Sequence, residues 1–270
     1  NCHSSEKAAI MAQYDFLIHC FVAGILASLA CGLGALPLLF PQFDVQRHMG
    51  LGYGLAGGLM FSASVYNLLL PGLTLDEHVP GLRQVVLVLF GLLVGASFLS
   101  GMDRFLTRDR LENSLLGRLG NRRELLIFLA MSFHSIPEGG AVGVGYASAQ
   151  YLPAAEGLGD YIALAIGIHN IPEGLAVAIP LRAGGASIFK CFVAAFLTSL
   201  PQPIAAVPAA LLVWLFEPLM IPLLGVAAGA MIFLVVRELI PDALETRSPT
   251  QTAWAFIAGF SFMILIQAAL

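Results

Sequence analysis

The chain has 270 residues, of which 58% are hydrophobic and only 11% charged, and its mean hydropathy is +0.85. A soluble domain of this length carries about 25% charged residues, so the composition indicates a polytopic membrane protein rather than a soluble one. The net charge of −4 excludes the basic surface that nucleic acid requires. The scattered cysteines form no CxxC pair and predict neither a disulfide framework nor a zinc knuckle.

Eight apolar stretches, each long enough to cross a bilayer, predict a single all-α membrane domain over residues 1–270. In chain order, the eight transmembrane helices are expected near 16–40, 51–72, 82–102, 124–148, 160–181, 187–214, 218–240 and 252–270. Residues 103–123 are strongly charged and predict a cytoplasmic loop. Eleven of the thirteen Lys and Arg residues lie in or beside the loops that follow odd-numbered spans. The positive-inside rule therefore places both termini on the non-cytoplasmic side.

The second span is rich in small residues, as closely packed membrane helices are. Within it, Met60 and Asn67 are seven positions apart and therefore share one face of the helix. A thioether is a soft ligand for transition metals, which makes Met60 a candidate ligand. The alternative is that Met60 is an apolar filler of the helix bundle.

Spans four and five carry the same short motif. The nine residues that begin at His134 and at His169 agree at seven positions, and both contain His-x-Ile-Pro-Glu-Gly. Glu138 and Glu173 each follow their histidine by four positions, so each His–Glu pair lies on one helix face. Because an ionisable group at membrane depth costs roughly 2.5–3.5 kcal/mol or more, four such groups in neighbouring spans predict a shared metal cation. The alternative is a buried His–Glu hydrogen bond inside the bundle.

Prolines accompany the polar residues of these spans. Pro137 and Pro172 lie within the two motifs, and each removes the usual donor to the carbonyl four residues earlier. Bent helices with freed carbonyls are tolerated at membrane depth where they line a cavity. Gln202, between two prolines of span six, marks a second Pro-broken polar site.

These features resemble the ZIP (Zrt/Irt-like) family of divalent metal transporters. The resemblance rests on HSIPEG in span four, HNIPEG in span five, GLMFSAS in span two, ELIP in span seven and the eight-span layout with a charged third loop. It covers most of residues 16–270 and implies a ZIP-like bundle with Pro-kinked metal-binding helices four and five. It also implies an elevator-like homodimer in the cell membrane that carries zinc into the cytosol. Spans one, four, five and six would move as a block against the other four.

The resemblance also assigns roles to single residues. His134, Glu138, His169 and Glu173 would be the core metal ligands. Met60 would reach the metal from span two, and Asn67 would lie further along the pathway on the same helix.

One position departs from the family pattern. Members with a two-metal core typically have a carboxylate before the proline of span six, where this chain has Gln202, and Ser135 and Asn170 are neutral as well. Two divalent cations would bring four positive charges against Glu138 and Glu173, whereas one cation is balanced. We therefore expect one tightly bound ion. Any second site, built from Ser135, Asn170 and Gln202 with the shared carboxylates, should be weak.

Imidazole, carboxylate and thioether ligands suit Zn²⁺, Cd²⁺, Fe²⁺ or Mn²⁺ better than Mg²⁺ or Ca²⁺. The metal is expected to be a transported substrate, with no catalytic cofactor and no enzymatic activity. An intramembrane metallohydrolase, which would use the metal to activate water, is one alternative, but the chain lacks H-E-x-x-H. A passive cation channel is another, although channels more often use rings of carbonyls or acids than a dense cage of ligands.

Overall fold

The structure is a computed structural model that describes residues 15–40, 45–74, 81–105 and 122–269. These ranges form helices and connecting turns, and no strand occurs within them. The first fourteen residues and most of the predicted loop 103–123 lie outside the described residues. The all-helical prediction is therefore confirmed for the described part of the chain.

The described ranges contain eight long helices, labelled α1 to α8. Five are single segments: α1 is Asp15–Leu33, α3 is Leu82–Phe105, α4 is Arg122–Ser148, α5 is Leu158–Ala183 and α8 is Pro249–Ala269. Three are composite: α2 joins Val45–Ala63, Ser64–Leu69 and Leu70–Thr74; α6 joins Ile188–Ser199 and Pro201–Leu215; α7 joins Met220–Leu234, Val235–Leu239 and Ile240–Thr246.

Seven of these helices are long and apolar enough to cross a membrane, so the protein is a multi-pass helical membrane protein. Helix α4 is not one of the seven, and part of it lies outside the side chains that the structure describes. Its 27 residues nevertheless extend about 40 Å, more than the roughly 30 Å of the hydrocarbon core. The fourth predicted span, near 124–148, therefore stays a prediction.

The irregular turns within α2 and α7 lie next to prolines. The π-helical turns Ser64–Leu69 and Val235–Leu239 both lie immediately before the segments that carry Pro71 and Pro241. In contrast, α4 and α5 run through the prolines of their motifs without a break. In α6, Pro203 cannot donate to the carbonyl of Ser199, which accepts the Ser28 hydroxyl of α1 at 2.8 Å instead.

The closest helix contacts divide the bundle into two blocks. A first block contains α1, α4, α5 and α6, and a second block contains α2, α3, α7 and α8. Wherever a Cβ on a described glycine would meet the backbone of another helix, that helix belongs to the same block. Examples are Gly24 on Pro203, Gly139 on Gln202 and Gly174 on Cys31 in the first block, and Gly58 on Phe256, Gly95 on Val226 and Gly229 on Leu92 in the second. The blocks meet where α4 packs on α7 and α5 packs on α2.

Gly95→Ala is expected to destabilise the second block by roughly 1–3 kcal/mol, because the new methyl group would collide with the Val226 backbone of α7. Gly101→Ala on the same helix is the matched control, since a Cβ there meets nothing within 4 Å. Thermal unfolding of the purified variants measures the difference. Equal midpoints for the two variants would contradict close packing of α3 against α7.

Candidate metal site

Three ionisable side chains converge between α4 and α5. Glu138 of α4 and His169 and Glu173 of α5 each offer a ligand atom, and these atoms lie within 4.8 Å of one another. The exposed fractions of these residues are only 1%, 2% and 8%. Contact between α4 and α5 brings these three side chains together. The structure therefore joins three of the four predicted core ligands.

Hydrogen bonding assigns the tautomer of His169. Its Nδ1 lies 3.1 Å from the carbonyl oxygen of Ala165, which can only accept, so Nδ1 carries the proton of the neutral ring. The other nitrogen, Nε2, then presents a lone pair to Oε1 of Glu138 at 3.2 Å. Two acceptors that face each other at this distance require a cation between them, either a proton or a metal ion.

The spacing of these atoms fits a small metal ion. Two ligand atoms bound to one tetrahedral Zn²⁺ at roughly 2.0–2.1 Å stand about 3.3–3.4 Å apart, close to the 3.2 Å between His169 and Glu138. Neither carboxylate oxygen of buried Glu173 has a hydrogen-bond partner among the described residues. A buried, uncompensated carboxylate is costly, and a divalent cation would compensate it. One oxygen of Glu173 lies within 4.8 Å of a ligand atom of each of the other two residues.

The fourth predicted ligand, His134, lies outside this three-residue group. Its Nε2 is 3.5 Å from Oε1 of Glu238, in the π-helical turn of α7. This contact crosses from the first block to the second. The sequence predicts that the charge of Glu238 lies near the cytoplasmic interface and gives it no role at the site. Its contact with His134 depends on how α7 is placed, which helical spacing does not reveal.

Three other predicted residues are buried in the bundle. Met60 is 2% exposed and belongs to the same core cluster as Val142 of α4. Asn67 is buried and accepts a hydrogen bond from the Gln267 amide of α8. The hydroxyl of Ser135 lies 3.1 Å from two carbonyl oxygens, those of Met131 and Thr198, and its proton is shared between them.

The last two predicted residues, Asn170 and Gln202, form a chain of hydrogen bonds that ends at the carboxylate of Glu138. The Asn170 amide nitrogen donates to the carbonyl of Ala27 at 3.0 Å and to Oε1 of Gln202 at 3.1 Å. The Gln202 nitrogen in turn donates to Oε2 of Glu138. Sequence reasoning placed both amides near a weak second ion and missed this bond, because it depends on the packing of α6 against α4.

Comparison with known proteins identifies relatives of this chain. The family described as ZIP zinc transporter matches residues 110–267. The zinc transporter GufA of Myxococcus xanthus is 34% identical over 244 residues, 87% of this chain and 94% of that protein. Human zinc transporter ZIP11 is 41% identical over 155 residues, 55% of this chain and 44% of that protein.

A zinc transporter described from Arabidopsis thaliana is 38% identical over 228 residues, and the match spans 84% of this chain but only 35% of that longer protein. These relatives are named as transporters rather than enzymes. The family match covers more than half of the chain, and the GufA match covers most of both proteins. The chain therefore belongs to the ZIP zinc transporter family.

Proposed function

We propose that this protein carries Zn²⁺ across the membrane through the group formed by Glu138, His169 and Glu173. The observation that carries the proposal is the pair of facing acceptors, Nε2 of His169 and Oε1 of Glu138, beside a buried carboxylate that lacks a hydrogen-bond partner. The names of the relatives favour Zn²⁺ as the substrate. Cd²⁺, Fe²⁺ and Mn²⁺ accept the same ligand types and would compete.

The proposed site takes one tightly bound ion. Glu138 and Glu173 supply two negative charges in a buried environment, which one divalent cation balances. Met60, from the second block, and His134, after release from Glu238, would complete the shell. A second ion near Ser135, Asn170 and Gln202 would be left without compensating charge and should bind weakly.

The proposed transport step is a movement of the first block against the second. Close glycine contacts hold each block together internally, whereas the contact between His134 and Glu238 joins the two. A rigid-body shift would therefore exchange side-chain contacts between the blocks and leave the backbone contacts within each block intact. We propose inward transport, with Asn67 on the pathway and both termini outside. A homodimer in the cell membrane remains a prediction from the family resemblance.

Uptake by purified protein in proteoliposomes tests the function directly. With a zinc-sensitive dye inside, we expect saturable Zn²⁺ uptake that Cd²⁺ inhibits and Mg²⁺ does not, because the ligands include imidazole. A flux that rises linearly with zinc concentration would favour the channel alternative. Metal-dependent turnover of a peptide or ester substrate without uptake would favour the hydrolase.

A cross-link between the blocks tests the movement. Ala63 of α2 and Ala165 of α5 belong to one buried cluster, with Leu59 and Met263. In a background without the native cysteines, oxidation of an Ala63→Cys, Ala165→Cys pair is expected to abolish most zinc uptake, and a reductant should restore it. Each single variant under the same oxidant is the control. Undiminished uptake by protein shown by mass to be cross-linked would rule out movement between these helices.

A further inference from the structure

We propose that Asn170 and Gln202 are positioning residues that restrict Glu138 to one ligand oxygen and thereby favour four-coordinate Zn²⁺ over Mn²⁺. This inference rests on the proposed function, because it concerns an ion bound by Glu138. It assigns to the two amides a role that does not require either of them to contact the ion. We call the chain of hydrogen bonds from Ala27 through Asn170 and Gln202 to Glu138 the amide relay.

The direction of the amide relay follows from its first member. Ala27 contributes a backbone carbonyl, which can only accept, so the atom of Asn170 that faces it must be the nitrogen. The same nitrogen reaches Gln202, so the atom it meets there must be the oxygen. The Gln202 nitrogen is then left to face Glu138. Neither amide can be flipped without placing an oxygen against an oxygen.

The side-chain oxygen of Asn170 supports this direction. It is buried and has no hydrogen-bond partner among the described residues, whereas the nitrogen has two. A rotation that exchanged the two atoms would bring the oxygen against the Ala27 carbonyl. The orientation is therefore set by the acceptors around the nitrogen, and one acceptor atom stays unsatisfied as a result.

The backbone around Gln202 holds the relay against the site. A Cβ added at Gly139, the residue after Glu138, would collide with the carbonyl oxygen of Gln202. The absence of that Cβ lets α4 and α6 approach closely at the level of the carboxylate. The freed carbonyl of Ser199 lies 2.8 Å from the Ser28 hydroxyl, whose proton is shared with the Gly24 carbonyl at 2.9 Å. Both Asn170 and Gln202 are fully buried.

The two carboxylate oxygens of Glu138 therefore have different partners. Oε2 accepts the amide of Gln202, and Oε1 faces His169. An ion at the site is therefore offered one oxygen of this carboxylate rather than two. Zn²⁺ is commonly four-coordinate with nitrogen and oxygen ligands, whereas Mn²⁺ suits octahedral shells rich in oxygen. Removal of the amide would free Oε2 for bidentate binding and favour the ion with the larger oxygen shell.

Gln202→Met tests the inference, because it keeps the length of the side chain and removes the donor. We expect the preference for Zn²⁺ over Mn²⁺, measured as the ratio of equilibrium dissociation constants, to fall by about 10-fold or more. In Co²⁺-loaded protein, the intense visible absorption of a four-coordinate centre should weaken as the coordination number rises. Asn170→Ala, which leaves Gln202 unanchored without touching Glu138, should shift both readouts in the same direction.

Gln267→Met is the matched control, since it removes a similar bond between two side-chain amides, to Asn67 in the second block. It should leave the Zn²⁺/Mn²⁺ ratio and the Co²⁺ spectrum unchanged. An unchanged ratio and spectrum in both relay variants would overturn the inference while leaving the transport proposal intact. Absence of Zn²⁺ binding in the unmodified protein would instead overturn the transport proposal itself. If Gln202→Met does not fold, the Zn²⁺/Mn²⁺ ratio and the Co²⁺ spectrum of Asn170→Ala decide whether the inference holds.

Discussion

His169→Ala is expected to weaken zinc binding by at least about 100-fold and to abolish uptake, while the protein stays folded. The substitution removes Nε2, which faces Glu138 at 3.2 Å, and leaves two buried carboxylates without the imidazole between them. Alanine is the best helix former, so the backbone of α5 should persist. Equilibrium binding of Zn²⁺ and dye-reported uptake measure the two effects.

His19→Ala is the matched control for this variant. His19 lies in α1 with 62% of its side chain exposed, and it pairs only loosely with Asp15 at 3.7 Å. Loss of this exposed histidine should change neither binding nor uptake. Zinc uptake at the unmodified rate in His169→Ala would return His169 to a structural role within the bundle, and the proposed site would be wrong.

Gln202→Glu is expected to raise the metal content of the purified protein from one to two ions per chain at saturating zinc. The new carboxylate would stand against Oε2 of Glu138, where an amide now donates. Two buried carboxylates this close repel each other unless a proton or a cation lies between them. A second Zn²⁺ would supply that charge.

Metal analysis of the protein after removal of loosely bound ions measures this change. Gln251→Glu adds the same charge at an exposed position near the start of α8 and should leave the count at one. A count of one in Gln202→Glu would show that the charge at position 202 does not limit the number of ions.

Helical spacing predicted much of the site. The repeated His-x-Ile-Pro-Glu-Gly motif places each His and Glu on one face, and contact between α4 and α5 brings Glu138, His169 and Glu173 together. The same rule did not predict the position of His134. Spacing within a helix states which residues share a face, but not which neighbouring helix that face meets. His134 meets Glu238 because α7 packs on α4 at that level.

Composition predicted the membrane class, and seven helices of the described part are long and apolar enough to cross a bilayer. The amide relay, in contrast, was beyond the sequence. Gln202 was recognised as an unusual residue at its position, yet its bond to Glu138 requires the close approach of α6 to α4 at Gly139.

The amide relay begins at a backbone carbonyl of α1, so the position of this helix affects Glu138. Three hydrogen bonds connect the main chain of Ala27 to a carboxylate on another helix, although α1 supplies no side chain to the group of Glu138, His169 and Glu173. Because the acceptor is a main-chain atom, the linkage depends on the position of the α1 axis. A displacement of α1 is therefore expected to change ion affinity from a distance.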